Sequence, residues 1–309
     1  MLNYHQHTPI LLLVFNRPEL TVQVLNRIKA VKPKRLYIAA DGPRNEAEAK
    51  ICNDVRALAM TIDWDCELKT LFREHNLGCG KAVSEGITWF FEQEEMGIVL
   101  EDDCLPEPSF FAFCSTLLNR FKDDETIGHI SGSNFQDGII RGDGSYYYSD
   151  LTHVWGWASW RRVWKDYDFQ IKTLVNFDQG FTGFKAHQNF ALKWKEIFTK
   201  VAQGEIDTWD YQYAYLNLSK HYLSIMPNVN LVQNIGIGEQ GTHTFGDHPL
   251  ANKDLGSITE IIYPSDKTQN VEADIYTQQK EFYIPPMKKK NVFSKTWKAI
   301  KKSIRNNEK

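Results

Sequence analysis

Three acids in a row, Glu101-Asp102-Asp103, follow the apolar stretch Ile98-Val99-Leu100. Open α/β sheets bind their ligands where strands end, so acids at such a place can do chemistry. Adjacent carboxylates repel unless something positive sits between them. A hard divalent cation meets that need and can bridge to substrate phosphates. The competing reading is an acidic solvated turn, since acids are common at strand ends.

Three more polar clusters follow apolar stretches. They are Phe15-Asn16-Arg17-Pro18, Asp41-Gly42-Pro43-Arg44, and the run from Arg73 through Asn76, Gly78 and Gly80 to Lys81. Asp41 can accept from a base N–H. Asn76 and the backbone at Gly78 and Gly80 can approach a ribose or phosphate closely, and Arg73 and Lys81 supply positive charge. This run is not a P-loop, because the glycine five residues before Gly80 is missing and Ala82 replaces Ser or Thr. An aromatic stretch adds Trp155, Trp157, Trp160 and Trp164. Trp160 and Trp164 are four apart and read as one buried helical face; Trp155 and Trp157 flank Gly156 and read as walls of a sugar pocket.

The elements that must position these groups alternate. Residues 10–15 form a continuous apolar run, as expected of a strand buried on both faces. Pro18 can open a helix, with Leu20, Val24, Ile28 and Val31 at helical spacing. A strand at 35–40 precedes a helical stripe of Ile51, Val55, Leu58, Ala59 and Ile62. Strands at 67–72, 97–100 and 126–130 alternate with helices at 80–94 and 108–121. This rhythm predicts crossover units, a mostly parallel sheet and an α/β fold with helices on its faces. From residue 131 to 167 Gly, Asp, Tyr and Trp dominate, which reads as loops laid over one sheet edge. Helices at 190–202 and 209–220 and a strand-like run at 224–234 follow, then an extended segment at 256–286.

The chain has 309 residues, a net charge of −3, 42% hydrophobic and 24% charged residues. That excludes wholesale disorder and suffices for a substantial core. No apolar run approaches the ~20 residues of a membrane span, and the first residues lack the charged and apolar regions of a signal peptide. Five scattered cysteines without a CxxC pair point to a reducing compartment and against structural zinc. Residues 288–309 hold nine Lys and Arg against one Glu, leaving 27 basic and 38 acidic residues before them. The body is the wrong sign for nucleic acid.

These segments together resemble a known family. Leu12 to Pro18, the Asp41 turn, Arg73 to Lys81 and Val99 to Asp103 resemble the nucleotide-sugar half of family 2 glycosyltransferases of the GT-A fold. The Glu-Asp-Asp triplet is similar to that of the family 13 N-acetylglucosaminyltransferase. His153-Val154-Trp155-Gly156-Trp157-Ala158-Ser159-Trp160 and Gly241-Thr242-His243-Thr244 are similar to a bacterial group of sugar transferases. The resemblance implies a GT-A domain over 1–255, with a nucleotide-sugar half at 1–130 and an acceptor half at 131–255.

It further implies that Asp103 holds Mn²⁺ or Mg²⁺, completed by His243, with His248 as a nearby competitor. Glu101 and Asp102 would face the ribose or the metal's waters, and Asp41 would read the base, commonly uracil. The donor site would also draw on Phe15, Asn16, Arg17, Arg73, Asn76, Gly78, Lys81, Trp155, Gly156 and Trp157. An inverting transfer needs a base at the start of a helix, and Asp207 and Asp210 are the candidates. Asp often caps helices, which favours Asp210 as base, although Trp209 stands where the family often has Glu.

The expected activity is metal-dependent transfer from a nucleotide-diphosphate sugar, a UDP-sugar foremost, to a hydroxyl of a cell-surface glycan or lipid-linked acceptor. The rivals are a sugar nucleotidyltransferase and a non-catalytic glycan-binding protein on the same fold. The nucleotidyltransferase would want a Gly-rich, Arg-containing loop after the first strand, which Phe15-Asn16-Arg17-Pro18 is not.

The tail at 287–309 completes the expectation. Phe293, Trp297, Ile300 and Ile304 fall on one helical face, and Lys295, Lys298, Lys301, Lys302 and Arg305 fill much of the rest. Such a helix lies on an anionic membrane, each cation contributing about 1 kcal/mol; a disordered basic tail is the alternative. The expected location is thus cytoplasmic, on the inner face of the membrane. The full chain should sediment with anionic liposomes at low salt, and a chain ending at Pro286 should not. Equal sedimentation of the two would contradict the membrane reading.

Overall fold

The computed structural model describes residues 2–174, 188–236, 253–282 and 284. The elements in the first 131 residues are strand β1 (Ile10–Val14), helix α1 (Pro18–Val31), β2 (Arg35–Ala40), α2 (Glu46–Ala59), β3 (Glu67–Phe72), α3 (Cys79–Gln93), β4 (Met96–Glu101), β5 (Cys104–Pro106), α4 (Pro108–Arg120) and β6 (Ile127–Ser131). Then come β7 (Tyr146–Ser149), β8 (Trp157–Trp160), α5 (Arg161–Trp164), α6 (Gln188–Ala202), α7 (Asp210–Ser219), β9 (Leu223–Pro227), β10 (Val232–Asn234) and α8 (Val271–Lys280).

Eight strands join one sheet in the order β3-β2-β1-β4-β8-β6-β9-β7. The pairs β3–β2, β2–β1, β1–β4 and β6–β9 are parallel, while β8 and β7 run against their neighbours. Six strands therefore point one way, and the expected mostly parallel, Rossmann-like α/β sheet flanked by helices is present. All five residues of β1 are buried, because helices cover both faces of a sheet built from crossovers. Helix α1 packs against α2 and α4, and α3 packs against α5. Pro18 opens α1, which buries Thr21, Val24, Leu25 and Ile28.

Register is what matters for function. Val14 lies opposite Ala40, Ala40 opposite Phe72, and Leu13 opposite Glu101. Four parallel strands therefore end level, and whatever follows each of them emerges on one edge.

The sheet does not stop where the rhythm breaks. The stretch expected to form loops, 131–167, contributes β7 and β8, and β8 inserts between β4 and β6. Its four residues are all buried, so no polar–apolar alternation betrays it. Trp157 is fully buried and stacks on His129 and Trp209, 5.7 Å from each ring, with Tyr213 at 4.9 Å. Its place in a sugar pocket is thereby corrected: its faces are covered by core rings. Trp160 and Trp164 are buried as expected, but Trp160 ends β8 instead of sharing a helix with Trp164.

Two further expectations change. The run at 224–234 is two strands, β9 in the main sheet and β10 paired antiparallel with β5. The segment expected to be extended, 256–286, holds α8, whose buried face is Ala273, Asp274, Thr277 and Gln278. That stripe is small and polar, so a hydrophobic period does not reveal it. Asp274 anchors the helix, accepting from the Ser149 hydroxyl, the Asp150 amide at 3.0 Å and Gln269 at 2.7 Å. A second apolar cluster, including Tyr147, Phe190, Trp194, Phe198, Tyr215 and Ala273, joins α6, α7 and α8. The five cysteines are free thiols. No described helix is long and apolar enough to cross a membrane. The basic tail at 287–309 lies outside the described residues.

Truncating a fully buried aromatic residue leaves a cavity. Trp157→Ala should therefore lower the unfolding free energy by about 3–5 kcal/mol, measured by urea denaturation. A loss below about 1 kcal/mol would contradict the ring's place in the core.

Candidate active site

The level ends of β1 to β4 bring the sequence-predicted groups to one edge. At the first, Arg17 is the residue before α1 and turns its guanidinium onto the acidic triplet that follows β4. Its Nη2 and Nε donate to the two oxygens of Asp102, the latter at 3.3 Å, and its Nη1 donates to Asp103 Oδ2 at 2.9 Å. The Asp102 side chain is 3% exposed, against 15% for Asp103 and 19% for Arg17. The positive charge that the triplet requires is thus supplied, in part, by the chain itself.

Electrostatics follow from this packing. Burial pushes the Asp102 carboxyl up to about 6, against the pull of the Arg17 charge. Burial, then the charges of Asp103 and Asp102, hold Glu101 well above the usual carboxylate range. Burial opposes the Arg17 charge, but the two carboxylates raise its pKa nonetheless.

The second and third strand ends meet each other. The Asp41 carboxylate accepts from Asn76 Nδ2 at 2.9 Å and from the amides of Gly42 and Leu77 at 2.8 and 3.0 Å. Burial raises its pKa, and those amides pull it back. Asp41 and Asn76, picked separately from the sequence, are therefore one unit. Gly78, with φ of 81°, is the residue before α3 and adopts a backbone that favours glycine. Arg73 and Lys81 are both directed to Glu85, at 2.7 and 3.8 Å, which tempers the free positive charge expected of them.

The later half of the chain reaches the same place through Asp207 and Asp210. Asp207 Oδ1 accepts from the Gly80 amide at 3.1 Å, in the first turn of α3. A Cβ at Gly80 would lie 2.6 Å from that oxygen and 2.7 Å from the Thr208 carbonyl, so only glycine permits the approach. Asp207 thus caps α3 instead of α7. Asp210 opens α7 and accepts from the Thr208 hydroxyl and its neighbour's amide. The Cys79 thiol marks the convergence. Burial pushes it up to about 12, reinforced by Glu101, Asp207 and Asp210 and opposed by Arg17. Charges from four other places in the chain are therefore felt at one side chain.

Other expected residues take different places. Phe15 and Asn16 are half-buried at the end of β1. Gly156 is buried, and a Cβ there would lie 2.7 Å from Val232, so it serves packing. Trp155 keeps exposed surface, its ring 5.5 Å from Phe135. His243, its flanking threonines and His248 lie outside the described residues. The chain does reach toward the triplet just before them: the Ile235 amide donates to the Asp103 carbonyl at 2.8 Å.

Glu48 and Arg56 escaped the sequence reading, and Arg44 entered it only as part of the Asp41 turn. Glu48 accepts from Asn16 at 2.7 Å and from Arg44, whose hydrogen bonds hold its carboxyl down to about 2. Arg44 in turn lies 5.4 Å over the Phe15 ring. Arg56 donates to the carbonyls of Asp41 and Arg73 at 3.1 and 2.5 Å, tying the ends of β2 and β3. The signal for Glu48 was legible: Asn45 three residues earlier forms the capping pair, accepting from the Glu48 amide at 3.0 Å.

A hard cation takes several oxygen donors. Of the triplet only Asp102 and Asp103 face the Arg17 guanidinium, and Glu101 is held well above the usual carboxylate range, so these acids do not by themselves make a closed cation site. Among the described residues no three His, Cys, Asp or Glu side chains are gathered closely enough to hold a metal ion.

No protein-family model matches the chain, and no curated protein matches it. Solved structures with a similar course include the galactosyltransferase LgtC in complex with donor and acceptor sugar analogues. It is 11% identical, covers 75% of each chain and has a TM-score of 0.38. HddC from Yersinia pseudotuberculosis is 11% identical over 52% of this chain and 80% of its own, at 0.31. A UDP-glucose pyrophosphorylase complexed with UDP-glucose is 11% identical over 52% and 70%, at 0.29. These likenesses are distant.

If Asp207 is the cap of α3, Asp207→Ala should cost about 0.5–2 kcal/mol of stability, as lost caps do. Urea denaturation of the variant measures it. An unchanged midpoint and slope would show that the carboxylate caps nothing.

Proposed function

We propose that the chain is a GT-A glycosyltransferase that uses a nucleotide-diphosphate sugar, a UDP-sugar foremost, and passes the sugar to a hydroxyl of a cell-surface glycan or lipid-linked acceptor. The observation that carries this reading is the meeting of Asp41 and Asn76, the Glu101-Asp102-Asp103 triplet, the α3 N-terminus and Asp210 on one edge of the sheet.

In this reading Asp41 and Asn76 bind the base. The half-buried Phe15 offers a ring to it. The amides at the start of α3 are suited to a diphosphate, with Lys81 beside them. Glu101 and Asp102 face the ribose side, and Trp155 is the ring left to line the sugar pocket. Asp103, together with His243, would hold Mn²⁺ or Mg²⁺, which when bound neutralises charge on the departing diphosphate.

Asp210 takes the proton from the acceptor hydroxyl as its oxygen attacks the anomeric carbon. The bond from that carbon to the diphosphate breaks, and the configuration inverts. Two features favour Asp210 over Asp207 for this role. Asp207 is exposed and caps α3 through the Gly80 amide, whereas Asp210, which accepts from Thr208 and Tyr211, is half-buried and acts electrostatically on Glu101. A carboxylate between donor and acceptor is where a general base belongs.

The test is a screen of nucleotide sugars with Mn²⁺ for release of the nucleoside diphosphate, followed by Asp210→Asn. An amide of the same shape cannot accept the proton, so turnover should fall by about 10²–10⁴-fold while donor affinity is retained. Turnover that survives in Asp210→Asn and vanishes in Asp207→Asn would assign the base to Asp207.

A further inference from the structure

An exposed arginine is ordinarily mobile, and holding it still costs rotamer entropy. Arg44 is held. Its side chain is 60% exposed, yet its Nε donates to both oxygens of Glu48, at 3.1 and 3.0 Å, and its Nη2 donates to the same carboxylate. Its backbone amide adds a fourth bond at 2.8 Å. The Glu48 side chain is only 8% exposed and is anchored in turn by Asn16 Nδ2 at 2.7 Å. Asn45 already caps α2, so the start of that helix does not need the fork. What the fork fixes is the plane of an exposed guanidinium.

The place where it is fixed is the Asp41 end of the edge. Val14 lies opposite Ala40, so Phe15 and Asp41 leave neighbouring strands side by side. The Arg44 guanidinium lies 5.4 Å from the centre of the Phe15 ring. The Cys52 thiol, buried one turn beyond Glu48 on α2, feels the charges of both Asp41 and Arg44. A base that sits against Phe15 with its edge at Asp41 therefore meets the guanidinium as well. A planar guanidinium stacks on flat rings, and every nucleobase has such a face. An ammonium offers charge without the plane.

We infer that Arg44 is a nucleotide-binding residue: the base stacks on the guanidinium plane that Glu48 holds beside Phe15, while Asp41 and Asn76 take its edge. Glu48 is the positioning residue of this contact, since it keeps the plane in place before the nucleotide arrives and so lowers the entropy that binding costs. The inference rests on the reading of the Asp41 end as the base site, and it needs no cation.

The experiment titrates uridine monophosphate into the full-length chain without divalent metal, followed by ligand-detected NMR, with ribose phosphate as the probe that lacks the base. Arg44→Ala should weaken the nucleotide by about tenfold or more, as loss of a stacking partner does. Arg44→Lys keeps the charge and loses the plane, so it should weaken the nucleotide nearly as much. Glu48→Gln slackens the fork and should weaken it severalfold. Ribose phosphate should not distinguish the wild-type chain from Arg44→Ala. Melting by circular dichroism checks that each variant folds, and Arg44→Lys decides if Arg44→Ala does not. Wild-type affinity in Arg44→Lys alone, or a loss for ribose phosphate as large as for the nucleotide, would show that Arg44 acts by charge on the phosphate and would overturn the stack. Wild-type affinity in both Arg44 variants, with binding lost in Asp41→Ala, would overturn the role of Arg44 and leave the base site standing. No nucleotide bound by the wild-type chain, or binding unchanged in Asp41→Ala, would overturn both.

Discussion

A guanidinium wedged between two adjacent carboxylates is the contact on which this edge of the molecule depends. Asp102 is buried with both oxygens on Arg17, and Asp103 shares the same fork. A buried carboxylate stripped of its partner is costly, so β1 and β4 cannot shift relative to each other without exposing that cost. The strand register and the ion pair therefore support one another. Leu13 opposite Glu101 places Arg17, four residues on, beside the acids that follow β4. Level strand ends then bring the Asp41–Asn76 unit into line with them.

The second constraint is the way the later half of the chain is fastened to this edge. The β5–β10 pair starts immediately after the triplet and carries the chain from Asn234 back over Asp103. On the other side Asp207 reaches across to the first turn of α3. Aromatic packing backs both fastenings, since Trp157 in β8 stacks on Trp209, which precedes Asp210. The edge built from strand ends and the start of α7, the donor and acceptor sides of the proposed reading, are thus held by a hydrogen-bonded ladder, a cap and a stack of rings. Proximity of this kind is what a two-substrate transfer requires.

Much of the edge was legible from residue order, for a physical reason. Buried parallel strands are continuous apolar runs, and the polar residues that end them stand out by contrast. That contrast located Arg17, Asp41, Asn76 and the triplet, and it located α1 to α4 to within a few residues. What stayed hidden had no contrast to show. All of β8 is buried, with Trp at both ends, and α8 buries polar side chains in a hydrogen-bonded network around Asp274. Trp157 looked like a cleft wall because composition cannot tell a stacked core ring from an exposed one. The sequence reading also asked for a cation among the acids without asking whether Arg17 could be that cation, since contacts 85 residues apart leave no local pattern.

The most direct test of this account is a crystal structure of the chain with UDP and Mn²⁺, using the anomalous signal of the metal. The account predicts an Mn²⁺ peak on the Asp103 carboxylate, uracil against Asp41 and Asn76, and the diphosphate at the start of α3. Nucleotide bound away from this edge, or Mn²⁺ that does not touch Asp103, would contradict it.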